Sequence, residues 1–326
     1  MIEMLNISNI LALVGGGDYP KFSPNKITIW DDHQGKIVSQ IRFNSDVIKV
    51  KIRKDSIIGV LHDKIYIFNI STLETIDILE TYPNLNGIFS ISNMENELLV
   101  AYPSPQMKGR VQIENYSFSI HGTKKLESKT INAHESQIAY ISINNQGTVL
   151  ATASDKGTLI RIFLLNKTEQ PIASLRRGKK NAKINWLVFS LDNEIIGCTS
   201  DSGTAHLFNI SELNKLIVDK KSEEEKKEKN NKKEKNIKIN IKEKSFGQFK
   251  IQESQSIIGF YQAQRIILIT ESGKYYKILY DTKEGCEKKE EGTLEIENAH
   301  IEIKLCHLCR DFLGERSIKP VISIDK

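Results

Sequence analysis

Short runs of alternating apolar and polar residues dominate the chain: ITIW (27–30), IYIF (65–68), RVQIENY (110–116), TLIRIF (158–163), AHLFNI (205–210) and KYYKILY (274–280). Such alternation sends successive side chains to opposite faces of a strand. Helical periodicity is scarce, so the pattern predicts an all-β protein. The runs share a frame. SDKGTLIRIF begins at Ser154 and SDSGTAHLF at Ser200, 46 residues later, and Gly109 before RVQI lies 48 residues ahead of Gly157. Gly273 lies 70 residues after Gly203, or 44 once a 26-residue insert at 219–244 is set aside. Recurrence near 45 residues, with about four short strands per unit, predicts a β-propeller of the WD-repeat type. Six blades are readable within 1–290, with an irregular tail expected over 291–326. Each blade is a sheet that cannot cover its own faces, and stacking in a ring buries them.

Composition limits what such a chain does. At 39% hydrophobic and 27% charged over 326 residues, it can bury a large core, which excludes wholesale disorder. No run reaches the roughly 18 apolar residues of a membrane span. The start, MIEMLNISNILALVGGG, carries Glu3 and no Lys or Arg before Lys21, so it reads as a strand rather than a signal peptide. Two of the four cysteines, Cys198 and Cys286, are isolated, which argues against a disulfide framework and for a reducing compartment. Cys306, His307 and Cys309 form half a zinc site at most, and no metal site is expected.

The net charge of +5 is mostly local. The insert at 219–244 holds 11 Lys and 7 acids, a net of +4, leaving about +1 for everything else. With no aromatic residue and only Ile237, Ile239 and Ile241 as apolar ones, it reads as a disordered loop inside a blade. It is either a low-complexity insertion without a role or an electrostatic contact with an anionic membrane. Nucleic acid is not expected as a partner, because no aromatic residues interleave with the lysines.

Candidate chemistry gathers at SLRRGKK, between the Ser154 and Ser200 repeats. In an extended segment Arg176 and Arg177 diverge, one toward each neighbouring repeat. Gly178 is read as permitting close backbone approach. The preceding repeat offers His134, Ser154, Thr158 and Arg161; the following one offers Ser200, Ser202, Thr204 and His206, with Lys179 and Lys180 nearby. Fork-shaped guanidinium donors, short hydroxyls and a tunable base suit phosphate. Two anion pockets on one rim are therefore expected. They cannot superpose, since Arg161 lies three residues after Thr158 but His206 only two after Thr204. Plainer alternatives remain open. Asp155 and Asp201 fit hairpin turns, and His134, Ser154 and Ser200 fit a structural hydrogen-bond network.

LALVGGG, PNKITIWDD, AYPSPQMKGRVQI, the AHESQIAYISINNQGTVLATASDKGTLIRIF segment, and LRRG followed by SDSGTAHLF together resemble the PROPPIN family, in its WIPI-type branch. The resemblance runs from Glu3 to Tyr280. It implies a non-enzymatic effector that binds phosphatidylinositol 3-phosphate or the 3,5-bisphosphate through two rim pockets. The implied site residues are Leu175, Arg176, Arg177, Gly178, His134, Ser154, Thr158, Arg161, Ser200, Ser202, Thr204 and His206. It also implies a monomeric cytoplasmic protein, peripheral on preautophagosomal, endosomal or vacuolar/lysosomal membranes, serving autophagy or endolysosomal traffic. Leu175 resembles the branch that recruits a bridge-like lipid-transfer autophagy protein. No cofactor is implied.

The chain departs from that family in three ways. Seven blades are expected, and the one preceding LALVGGG is missing here. The membrane-inserting loop of the penultimate blade is replaced by the Lys/Glu insert. Asp201-Ser202-Gly203 stands where a base would occupy the middle position. A protein-only propeller scaffold with a decayed lipid site is the competing expectation. A propeller enzyme would need converging catalytic groups, and no nucleophile elbow, H-E-x-x-H, phosphate loop or carboxylate pair stands out.

Overall fold

The computed structural model describes residues 1–5, 8–17, 19–166, 170–213, 241, 243–251, 253–283 and 285–293. These form six four-stranded antiparallel sheets in chain order, each a meander. The first holds β1 (Ile2–Met4), β2 (Ile10–Leu13), β3 (Lys26–Asp31) and β4 (Lys36–Arg42); the second β5 (Lys49–Ile52), β6 (Ser56–Val60), β7 (Lys64–Asn69) and β8 (Thr75–Glu80). The third holds β9 (Ser90–Ile91), β10 (Glu97–Pro103), β11 (Arg110–Ser119) and β12 (Gly122–Asn132); the fourth β13 (Ile138–Ile143), β14 (Val149–Ser154), β15 (Leu159–Leu164) and β16 (Ala173–Arg176). The fifth holds β17 (Ile184–Phe189), β18 (Ile195–Ser200), β19 (Thr204–Asn209) and β20 (Gly247–Lys250); the sixth β21 (Ser256–Gln262), β22 (Arg265–Thr270), β23 (Lys274–Asp281) and β24 (Gly285–Thr293).

First strands of neighbouring sheets meet, β1 with β5, β9 with β13, β13 with β17 and β17 with β21, so each sheet presents its first strand to the centre. The described residues thus form six blades of a β-propeller.

Alternation along each strand supplies both faces of a blade. On β15, Ile160 and Ile162 join a buried cluster with Ile184 and Phe208 of the fifth blade, whereas Phe163 joins Ile113 and Ile131 of the third. Burial of a side chain of this size contributes about 1.5–3 kcal/mol. Similar clusters tie the first blade to the second, the second to the third and the fifth to the sixth. Among the described residues none ties the sixth blade to the first, and Ile2, Met4, Ile37 and Ile257 stay 41–55% exposed.

Two boundaries move. Strand β24 continues to Thr293, so the blade region runs past the expected limit of 290. The Lys/Glu insert joins β19 to β20, and its residues 219–240 and 242 lie outside the described residues. Its last two residues, Glu243 and Lys244, are a correction to the expectation of disorder: they lie against the backbone of Arg176. Residues 294–326, with Cys306, His307 and Cys309, also lie outside the described residues.

Candidate functional site

Leu175 sets the geometry of the arginine pair. It is fully buried between the fourth and fifth blades, opposite Ile160 in the β15–β16 ladder. Its flanking residues therefore face the other way, toward the third blade: Ser174 opposite Arg161, and Arg176 opposite Leu159. Arg176 is exposed. Arg177 leaves the strand, turns toward the fifth blade and is buried. Its Nε donates to the Gly157 carbonyl at 2.8 Å, its Nη2 to the Lys180 carbonyl at 2.6 Å, and its Nη1 reaches Ser202 Oγ at 3.5 Å. Consecutive arginines thus serve different blades.

The hairpin that holds Arg177 needs glycine at one point. Gly157 has φ +57, and a Cβ there would overlap the carbonyl oxygen of Ala182. A Cβ at Gly178 would meet nothing within 4 Å, because the turn after Arg177 stands open on the rim.

The first candidate cluster lies on the third-blade side of the fourth blade. Thr152 pairs with Arg161 across β14–β15, and its Oγ1 is 3.0 Å from His134 Nε2. Arg161 Nη1 donates to the Ala133 carbonyl at 2.7 Å. Burial first, and the Arg161 charge second, lower the His134 pKa to about 4. Ser154 sits two residues beyond Thr152 on the same face, while its carbonyl accepts from Gly157 in the hairpin. Thr158 contributes through its backbone, its carbonyl accepting from Arg177 at 3.0 Å and Gly178 at 3.4 Å.

The second candidate cluster lies between the fourth and fifth blades. Alternation on β19 gives Thr204, His206 and Phe208 one face, and Phe208 belongs to the cluster that contains Leu175. Three hydroxyls form a triangle, with Ser200–Ser202 at 2.9 Å, Ser202–Thr204 at 3.1 Å and Ser200–Thr204 at 3.4 Å. His206 Nε2 lies 3.1 Å from Thr204 Oγ1, and its Nδ1 lies 3.3 Å from Ser245 Oγ. Burial, then the nearby Arg177 charge, lower the His206 pKa to about 4. Both histidines are therefore neutral at neutral pH. Among the described residues no carboxylate is ion-paired with Arg161, Arg176 or Arg177. What remains is two cationic clusters rich in hydroxyl donors, a combination suited to anions.

Every proposed residue of the fifth blade converges on Arg177 or its hydroxyl chain. In the fourth blade, His134 and Arg161 converge, and Arg176 shares their side of the sheet. Thr152 and Ser245 were missed. Thr152 is legible only as the residue two before Ser154, and Ser245 only once β20 is known to return beside His206.

The sequence profile of the PROPPIN family matches residues 2–227, which is more than half of the chain. The chain belongs to the PROPPIN family. Among its relatives, it is 30% identical to autophagy-related protein 18e of Arabidopsis thaliana over 286 residues, covering 87% of this chain and 72% of that protein. It is 33% identical to autophagy-related protein 18 of Debaryomyces hansenii over 247 residues, covering 66% of this chain but 44% of that one. The chain thus spans less than half of the yeast relative.

Among solved structures of similar fold, Hsv2 of Kluyveromyces lactis aligns with a TM-score of 0.71 at 19% identity, over 90% of this chain and 86% of that one. The complex of KlAtg21 with the coiled coil of AgAtg16 aligns with a TM-score of 0.66 at 20% identity, over 90% and 85%. At these identities the likeness speaks for the propeller fold. Among the described residues, no helix of this PROPPIN is long and apolar enough to cross a membrane, and no group of three His, Cys, Asp or Glu is placed to hold a metal ion.

Proposed function

We propose that this PROPPIN is a non-enzymatic effector that binds phosphatidylinositol 3-phosphate or the 3,5-bisphosphate at membranes and serves autophagy or endolysosomal traffic. The observation that carries the reading is the divergence of Arg176 and Arg177 into two hydroxyl-lined clusters without a paired carboxylate. A phosphate monoester brings up to two negative charges and three acceptor oxygens, and guanidinium forks with short hydroxyls match that set. Two pockets on one chain make the second contact with a membrane effectively intramolecular, which raises avidity by about 10² or more. Its relatives named for autophagy support the process, and the complex of KlAtg21 with a coiled coil supports a coiled-coil or other protein partner. A bridge-like lipid-transfer protein is the partner we propose.

One observation favours a second reading. Arg177 has all three guanidinium nitrogens engaged by the protein itself, which suits a structural clamp in a protein-only scaffold. Vesicle flotation separates the two. Phosphatidylcholine vesicles doped with each phosphoinositide should carry the unchanged protein upward and leave Arg176→Ala/Arg177→Ala behind. Equal flotation of both proteins would support the clamp.

A further inference from the structure

The last residues of the Lys/Glu insert return to the arginine pair. The Arg176 backbone N–H donates to the Glu243 carbonyl at 2.6 Å, and Lys244 forms a parallel bridge with Arg176. The next residue, Ser245, faces His206, with 3.3 Å between Ser245 Oγ and Nδ1. Successive side chains of an extended segment alternate, so Lys244 faces away from His206 and toward the side occupied by Arg176. Lys244 and Ser245 therefore repeat beside the arginine pair the same split, one residue to each cluster.

We infer that Lys244 is a further phosphate-binding residue of the first cluster, supplied by the fifth blade to a site built on the fourth. Three observations support it. Lys244 and Arg176 are both exposed, so neither charge is spent on the core. No carboxylate is ion-paired with either of them among the described residues. Like charges facing each other across a bridge are destabilising, and strands in a ladder lie about 4.8 Å apart. A phosphate monoester between the two relieves that repulsion and gains a charge-assisted hydrogen bond from each. The insert thus has two parts: a Lys/Glu stretch at 219–240, and a short strap, Glu243 and Lys244, that leads into Ser245 beside the arginine pair.

This inference rests on the proposed phosphoinositide reading, and calorimetric titration with soluble inositol 1,3-bisphosphate tests it without a membrane surface. Lys244→Ala should bind about tenfold more weakly, the value of one charge-assisted hydrogen bond. Lys244→Arg should bind within about twofold of the unchanged protein, and deletion of 219–240 should leave affinity as it was. Inorganic phosphate should bind more than about tenfold more weakly than the inositol phosphate. Equal affinity of the two anions would overturn a head-group site. Full affinity in Lys244→Ala, with Arg176→Ala impaired, would overturn the role of Lys244 while the functional reading stands. No binding by the unchanged protein would overturn both.

Discussion

Arg177 donates to the carbonyl of Gly157 at 2.8 Å, fastening the turn after β16 to the hairpin that opens β15. Arg176, one residue earlier, makes its backbone bond to Glu243 and leaves its guanidinium exposed on the opposite side of the blade. Arg177 therefore also holds the rim together, whereas Arg176 contributes only its charge. Arg177→Ala should lose about 1–3 kcal/mol of stability, because it strips the partner from the buried Gly157 carbonyl, whereas Arg176→Ala should stay within about 0.5 kcal/mol. Urea unfolding midpoints measure the difference. Equal midpoints would show that Arg177 holds nothing.

The two glycines of this region should behave oppositely. Gly157→Ala forces a Cβ into the Ala182 carbonyl at a φ of +57, so it should destabilise strongly, by about 2 kcal/mol or more. Gly178→Ala meets open space and should be neutral or slightly stabilising. The same unfolding series reads both.

The histidines give binding and stability a pH dependence whose signs differ. Both have a pKa lowered to about 4, against about 6.5 in the unfolded chain. Between those values the unfolded state binds more protons, so folding stability should fall as pH drops through about 6.5 and level off below about 4. A bound phosphate raises each histidine pKa from about 4, so the complex takes up protons and affinity should rise as pH falls toward that value. Loss of the phosphate's own second charge near pH 6 opposes that rise. Comparison with His206→Gln removes the ligand's contribution, and a variant with an unchanged pH profile would rule out His206 as the coupled group.

Protein recruitment should depend on a different face. The sequence suggests Asp31 and Asp32, beside Trp30, as charges for a partner. The structure separates them: Asp31 is buried and accepts from Asn9 and the Gln34 backbone, whereas Asp32 is half-exposed. Asp32→Lys should weaken pull-down of a lipid-transfer partner with lipid affinity intact. Asp31→Lys should lower the melting temperature instead. Unaltered pull-down by Asp32→Lys would remove this face from the account.

The blades were legible because period-two alternation and the S-D-x-G hairpins recur at a fixed interval, and both follow from local chemistry. The orientation of Arg176 was legible for the same reason, through strand alternation around the apolar Leu175, whereas Arg177 lies past the end of β16 and turns on its own hydrogen bonds. Thr152 and Ser245 were not legible. Thr152 reaches the site through a cross-strand pair with Arg161, and Ser245 through the return of β20 after a long insert, so neither neighbour is local in sequence.

If two adjacent arginines serve two separate anion sites, binding stoichiometry reads it most directly. Titrated calorimetrically with inositol 1,3-bisphosphate, the unchanged protein should bind two molecules per chain. Arg176→Ala and Arg177→Ala should each bind one, and the double variant none. A single site per chain that survives either substitution would contradict it.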